Sequence, residues 1–235
     1  MSTFIIPDIH GCLKTLTFLL EEKLKISHSD RVFMLGDYID RGPESAGVVE
    51  YIIGLIETGY NINCIKGNHE QLLLDTVEGS SMYYNLWMLN SGDDTLISYS
   101  LKFKMPYEEG NYKCIPDKHI EFFKSLPAYL IVDDNYVLVH GGLDYRLKDP
   151  FSDEKSMMWK RPEHIPDTLV PGKKIFHGHT QISLETIKHR LNIPDVRLIN
   201  LDAGCVYKGQ GPGLGYLTAF NVEKWELLWV ENIEA

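Results

Sequence analysis

Short apolar runs that end on a glycine-bearing polar cluster recur along the first third of the chain. Phe4-Ile5-Ile6 leads into Asp8-Ile9-His10-Gly11, Val32-Phe33-Met34-Leu35 into Gly36-Asp37, and Ile62 to Ile65 into Gly67-Asn68. After each cluster the apolar spacing becomes helical: Leu13, Leu16, Leu19, Leu20 and Leu24 follow the first, Val48, Val49, Ile52, Ile53 and Ile56 the second, and Leu72 to Val77 the third. A compact apolar run followed by helical spacing reads as strand, turn, helix. Three such units in succession predict a wound sheet with helices over its faces, and their turns should meet along one edge of it.

The pattern changes between Gly79 and Pro127, a stretch with Trp87, Gly92, Asp93 and Asp94 and a short helical segment expected around His119 to Lys124. It reads as a helical cap inserted over residues 79–127. Beyond it, Tyr129 to Val132 and Tyr136 to Val139 flank Asp133-Asp134-Asn135, a plausible hairpin turn, and Lys174 to Phe176, Arg197 to Leu201, Leu214 to Phe220 and Trp225 to Val230 are β-like. The expected fold is α/β: a four-layer αββα sandwich of two mixed sheets flanked by helices, with a small helical cap. No repeat, low-complexity tract or long linker divides the chain, so a single domain over 1–235 is expected.

Composition narrows this picture without changing it. The 235 residues are 44% hydrophobic and 24% charged, enough for a sizeable core. No apolar run approaches the eighteen or so residues that span a bilayer, and the first residues resemble no signal peptide, so a cytoplasmic protein without a membrane partner is expected. A formal charge of −10 argues against a nucleic-acid partner. Cys12, Cys64, Cys114 and Cys205 form no C-x-x-C pair, which disfavours a zinc knot and leaves reduced structural thiols.

The chemistry lies in five motifs in order: Asp8-Ile9-His10-Gly11, Gly36-Asp37-Tyr38-Ile39-Asp40-Arg41-Gly42, Gly67-Asn68-His69-Glu70, His140-Gly141-Gly142 and Gly178-His179-Thr180. Each sets a metal-ligating side chain beside a glycine just after an apolar run, which is how strand ends deliver ligands into a shared crevice. Carboxylate, imidazole and amide oxygen suit manganese, iron or zinc, and no motif supplies a thiolate for softer ions. Two such ions about 3.5–4 Å apart would lower the pKa of a bridging water and clamp phosphoryl oxygens, making a metal-bound hydroxide the nucleophile for a phosphoester.

These motifs, from Asp8 to Thr180, resemble those of PPP-class metallophosphatases, the group that includes serine/threonine protein phosphatases and symmetrical dinucleoside tetraphosphatases. The resemblance implies two divalent metal ions, manganese first with iron or zinc as alternatives. It implies Asp8 and His10 as ligands of the first ion, Asp37 as the bridging carboxylate, and Asn68, His140 and His179 as ligands of the second. His69 and Asp40 resemble the family's acid–base pair, with the histidine protonating the leaving oxygen. Arg41 matches its phosphate-binding arginine, Asn68 also faces phosphate, and Arg161 resembles a second phosphate-binding arginine of bacterial and phage members. The implied activity is dephosphorylation of phosphoserine and phosphothreonine proteins, with dinucleoside tetraphosphate cleavage as the alternative and a non-catalytic metal-binding scaffold a distant third. Phosphoprotein or nucleotide is thus the expected partner, and self-association is not addressed by any motif.

Three positions bear on this reading. His177 and His179 differ by two and would share a face if their strand continued, and the family pattern selects His179. Pro7 stands where the family has glycine, which removes a donor and fixes φ near about −65° at the first turn. Asp202-Ala203-Gly204-Cys205-Val206-Tyr207 resembles a segment of small bacterial members and is expected to line the far wall of the site. Rival phosphatase chemistries fail on residues: a cysteine-dependent enzyme needs C-x5-R, but the positions six after the cysteines hold Phe18, Glu70, Ile120 and Gly211, and no phosphate-binding G-x-x-x-x-G-K-[ST] loop exists.

Overall fold

The computed structural model describes residues 1–107 and 112–234. The first three units form as expected: β1 (Thr3–Ile6), α1 (Leu13–Thr17), β2 (Arg31–Met34), α2 (Ser45–Glu57), β3 (Asn61–Cys64) and α3 (Asn68–Val77). β1 pairs in parallel with β2, and β2 with β3. The first helix is shorter than its leucine spacing predicts, because Phe18–Leu24 continues as a wider π-type turn that stops at Lys25 in the left-handed region. On α2, Val48, Val49, Ile52 and Ile53 are buried, while Ile56 is exposed.

The expected cap holds three helices, α4 (Ser81–Leu89), α5 (Gly92–Phe103) and α6 (Asp117–Ser125), with a 3₁₀ turn at Tyr112–Cys114. The part of that expectation falling on residues 108–111, like residue 235, lies outside the described residues. The second sheet follows: β4 (Tyr129–Val132), β5 (Tyr136–Val139), α7 (Glu154–Trp159), β6 (Lys174–His177), α8 (Leu184–Leu191) and β7 (Leu198–Asn200). The hairpin of β4 and β5 is antiparallel, and its turn places Asp133 and Asp134 at φ 49° and 57°, which Asp tolerates better than most residues. Finally β8 (Tyr216–Asn221) and β9 (Glu226–Glu231) return to the first sheet, giving the orders β3-β2-β1-β8-β9 and β4-β5-β6-β7.

Alternation along each strand builds the layers. Phe4, Ile6, Val32 and Met34 join the core under α1, α2 and the cap, while Ile5 and Phe33 point the other way to meet Leu138, Phe176, Ile199 and Phe220 between the sheets. Val137, Val139 and Ile175 face outward from the second sheet onto Met157 of α7 and Leu169. Two mixed sheets with flanking helices are therefore present, as the sequence predicts. Their parallel strands β1, β2 and β3, and β5, β6 and β7, end on the same crevice, and all five motifs stand there. Among the described residues no helix is long and apolar enough to cross a membrane.

Candidate active site

The five motifs converge as the sequence predicts, and a histidine tautomer is set at two of them by the backbone. His10 Nδ1 lies 2.8 Å from the Ile39 carbonyl and His140 Nδ1 2.8 Å from that of Leu35, so each N–H points to a carbonyl and each Nε2 faces the crevice. His140 Nε2 sits 3.2 Å from Asp37 Oδ2, 3.0 Å from Asn68 Oδ1 and 3.2 Å from His179 Nδ1. His10 Nε2 sits 3.5 Å from Asp37 Oδ2 and 4.0 Å from Asp8 Oδ2. Asp37 thus lies between two clusters, its carboxylate shared by both.

Ligand atoms of His10, Asp37 and His69, and of Asp37, His140 and His179, fall within 4.8 Å of one another in two buried groups. Those donors match a pair of divalent cations in kind, and His179 Nε2 is buried without a hydrogen-bond partner. The first group contains His69, whereas the sequence reading places Asp8 beside His10. Asp8 adjoins His10 as just described, and His69 Nδ1 is instead engaged 2.5 Å from Asp40 Oδ2, with Nε2 3.9 Å from Asp37.

The electrostatics are those of carboxylates crowded out of water. Burial and the Asp202 carboxylate push Asp8 well above the usual range, and burial pushes Asp202 up to about 6. Burial opposes ionisation of Asp37 too, but the surrounding His140 and His69 hold it well below that range. The charges of Asp37 and Asp8 outweigh burial at His140 and raise it to about 10, while burial lowers His179 to about 3, helped by His140. Negative charge concentrated this way draws divalent cations.

Close approach of backbone explains two of the glycines. A Cβ on Gly67 would stand 2.1 Å from Asp37 Oδ1, and one on Gly178 would stand 2.0 Å from Asp8 Oδ1. The His179 N–H donates to both oxygens of Asp8, at 3.0 and 3.1 Å, and so ties one sheet to the other. The ambiguity between His177 and His179 disappears because the strand does not continue: β6 ends at His177, and His179 turns to φ 68°. His177 belongs to neither donor cluster, and its Nδ1 lies 3.1 Å from the Gly178 carbonyl. Pro7 leaves the first turn intact, since the Ile9 and His10 N–H groups both donate to the Asp37 carbonyl, at 3.0 and 2.9 Å.

Arg41 reaches from φ 68° to contact His10 Nε2 and spreads its guanidinium over the Tyr207 ring, 5.6 Å from the centroid. From the Asp202 to Tyr207 segment, Tyr207 thus meets Arg41 and the buried Asp202 carboxylate acts on Asp8. Arg161 is exposed, and its positive charge contributes to the lowering at His179. Sequence reasoning assigned no role to Glu70, Trp87 or Thr95. Glu70 accepts hydrogen bonds from the N–H groups of Asp37 (2.9 Å), Tyr38 (2.8 Å) and Gly67 (3.0 Å), fixing the second motif to the third. Its place three residues after the helix-capping Gly67 was the available signal. Trp87 and Thr95 both bond to Asp40 from the cap, a pairing that no local spacing announces.

The fold and motifs have relatives. Over 119 residues the chain is 35% identical to a symmetrical bis(5'-nucleosyl)-tetraphosphatase of Buchnera aphidicola, covering 48% of this chain and 41% of that one. Over 90 residues it is 36% identical to serine/threonine-protein phosphatase 1 of Salmonella typhimurium, covering 38% of each. The chain therefore spans less than half the length of these two. An asymmetrical bis(5'-nucleosyl)-tetraphosphatase of Anoxybacillus flavithermus is 26% identical over 90% of this chain and 89% of its own. Among solved structures, a protein serine/threonine phosphatase from Saccharomyces cerevisiae superposes on all of this chain and 81% of its own with a TM-score of 0.63 at 17% identity, a likeness of fold. The model of the calcineurin-like phosphoesterases matches residues 1–204, which takes in all five motifs, and the chain belongs to that family.

Proposed function

We propose that the protein is a dinuclear-metal phosphoester hydrolase whose first substrate to test is a dinucleoside tetraphosphate. The reaction class rests on one observation: Asp37 stands between two buried donor clusters with the His69–Asp40 pair beside them. Asp8, His10 and Asp37 would hold one ion and Asp37, Asn68, His140 and His179 the other, with manganese the first metal to try. When bound, such ions polarise a water and neutralise phosphoryl oxygens. Arg41 and Arg161, with the Asn68 amide, would hold the phosphoryl oxygens in line with that water. His69, its Nδ1–H given to Asp40, would present Nε2–H to the oxygen that leaves.

The substrate ranking rests on reach. The tetraphosphatase relative from Anoxybacillus matches nearly end to end, whereas the Salmonella protein phosphatase matches over a third of the chain. A cavity of about 300 Å³ beside Arg161, lined by Leu143, Tyr145, Pro162 and His164, offers apolar and aromatic surface next to the phosphate-binding charge. Phosphoserine and phosphothreonine proteins are the second reading, supported by that Salmonella match and by the intact Asp40-Arg41-Gly42. In this reading residues 1–235 form one metallophosphoesterase domain with 79–127 as its cap.

The experiment is turnover by the manganese-loaded protein, with a chelated control, on diadenosine tetraphosphate and on a phosphothreonine peptide at equal concentration. Faster cleavage of the dinucleotide is expected, and its products, two ADP or ATP with AMP, identify which anhydride is attacked. Faster phosphate release from the peptide would move the function to protein dephosphorylation. No chelator-sensitive turnover of either would leave a metal-binding scaffold.

A further inference from the structure

The Asp40 carboxylate is fully buried, as are Trp87 and Thr95, and no Lys or Arg ion pair neutralises it among the described residues. Three groups point at it. His69 Nδ1 lies 2.5 Å from Oδ2, Trp87 Nε1 donates at 3.1 Å to Oδ1 and 3.0 Å to Oδ2, and Thr95 Oγ1 donates at 2.5 Å to Oδ1. Thr95 Oγ1 in turn accepts from the Asp40 backbone N–H at 2.9 Å, so one hydroxyl fixes both the main chain and the side chain of Asp40. That residue sits at φ 69°, a conformation that needs such support. Trp87 comes from α4 and Thr95 from α5, and the two helices approach over Gly92, where a Cβ would stand 2.6 Å from the Trp87 ring. Residues 79–127, read from sequence as a helical cap, supply two of the three side-chain donors to the buried carboxylate.

A buried carboxylate without a cation stays ionised only if donors replace its lost water, and its orientation is set by where those donors stand. We propose that Trp87 and Thr95 are positioning residues that hold Asp40 against His69 so that His69 Nε2 can protonate the leaving oxygen; this rests on the acid–base assignment of His69 and Asp40 made above. In that step the attacking water gives up one proton to solvent and its oxygen forms the new bond to phosphorus. The bond to the leaving oxygen breaks with its electron pair on that oxygen, which takes the proton from Nε2. The imidazole is left neutral with Nδ1–H still given to Asp40.

A group that acts through proton donation matters most when the leaving oxygen is a poor one. The test is kcat on phosphate monoesters of rising leaving-group basicity, 4-nitrophenyl, phenyl and a phosphothreonine peptide, for wild type, His69→Asn, Trp87→Phe, Thr95→Val and Thr95→Ser. His69→Asn is expected to lose about 10²–10⁴-fold on the poorest leaving group and much less on 4-nitrophenyl phosphate. Trp87→Phe and Thr95→Val should show the same steepening at about tenfold on the poorest leaving group, while Thr95→Ser, which keeps the hydroxyl, stays near wild type. Equal losses on all esters, or none, in both Trp87→Phe and Thr95→Val, with the steepening present in His69→Asn, would overturn the positioning role alone. Absence of steepening in His69→Asn would remove the acid assignment, and the proposal with it. The hydrogen bond itself is read separately from the Trp87 indole proton in the zinc-loaded protein: its resonance should move upfield in Asp40→Asn, and an unmoved signal would deny the bond.

Discussion

Asp37 carries more of the site than any other side chain, and it does so in a backbone conformation, φ 52°, that costs a non-glycine residue about 1–3 kcal/mol. His10, Asp40, Arg41 and His179 share that left-handed region, so five residues of the crevice are held by their surroundings against local preference. Because Asp37 faces both clusters while His69 faces Asp40, the two should fail differently. Asp37→Asn is expected to lower turnover by orders of magnitude and to lose bound metal, and His69→Asn to lower turnover with metal retained; metal content by elemental analysis of both variants separates them, and wild-type content in Asp37→Asn would end its bridging role. Gly178→Ala should behave like the loss of Asp8, since the new methyl needs the space of Asp8 Oδ1 and that carboxylate is already fixed by the His179 N–H. Metal binding should weaken while far-ultraviolet dichroism stays unchanged. At this scale the sequence was most legible, because each motif residue lies within a few positions of the strand end that aims it. Trp87 and Thr95 were not, since what they do depends on Asp40, 47 and 55 positions away, which only the fold brings near.

At the scale of elements, strand and helix order followed from apolar spacing, and the departure is local: α1 gives way to a π-type turn, while β6, expected over Lys174 to Phe176, ends one residue later at His177. The register of β1 is held by contacts that apolar spacing could not reveal. Its first residues are pinned by two carboxylates, as the Ser2 N–H donates to Asp30 at 2.7 Å and the Thr3 N–H and hydroxyl donate to Glu223 at 2.7 and 2.6 Å. Burial tends to raise Glu223, but the Thr3 hydrogen bonds outweigh it and hold the carboxyl below its ordinary range; Asp30 is lowered in the same way by Ser27 and Ser2. A carboxylate depressed by folding contributes stability that is complete above its unfolded pKa and is lost as pH falls through the folded one. The start of β1 should therefore loosen on acidification below about pH 4.5, and a Glu223→Gln variant should show a flatter dependence of Tm on pH between about 3 and 5 than wild type. Identical slopes would mean that Glu223 is as easily protonated folded as unfolded.

Across the whole molecule, a formal charge of −10 is combined with a crevice in which Asp8, Asp37, Asp40, Glu70 and Asp202 are all buried. Only at Asp37, surrounded by histidines, do the neighbours outweigh burial; burial leaves Asp40 raised despite its three donors and, with the Asp37 charge, pushes Glu70 up to about 7 despite its backbone N–H groups. Asp8 receives one backbone N–H shared between its oxygens and Asp202 that of Gly204 at 2.7 Å, and both are pushed toward the protonated form. The fold thus keeps a cost that divalent cations would relieve, and relief confined to the native state appears as stability, because the unfolded chain does not assemble both clusters. At about a hundredfold excess of manganese over its Kd the gain is about 2.7 kcal/mol, and for a chain of this size each kcal/mol moves Tm by about 2–4 °C, so chelation should lower Tm by about 5–10 °C. The rise on adding manganese back should saturate, and it should vanish in Asp37→Asn while surviving in His69→Asn, whose imidazole is committed to Asp40. Equal Tm with and without chelator in the wild type would show that the clustered donors do not bind manganese tightly in the folded protein, and the two-metal reading of the crevice would fall with it.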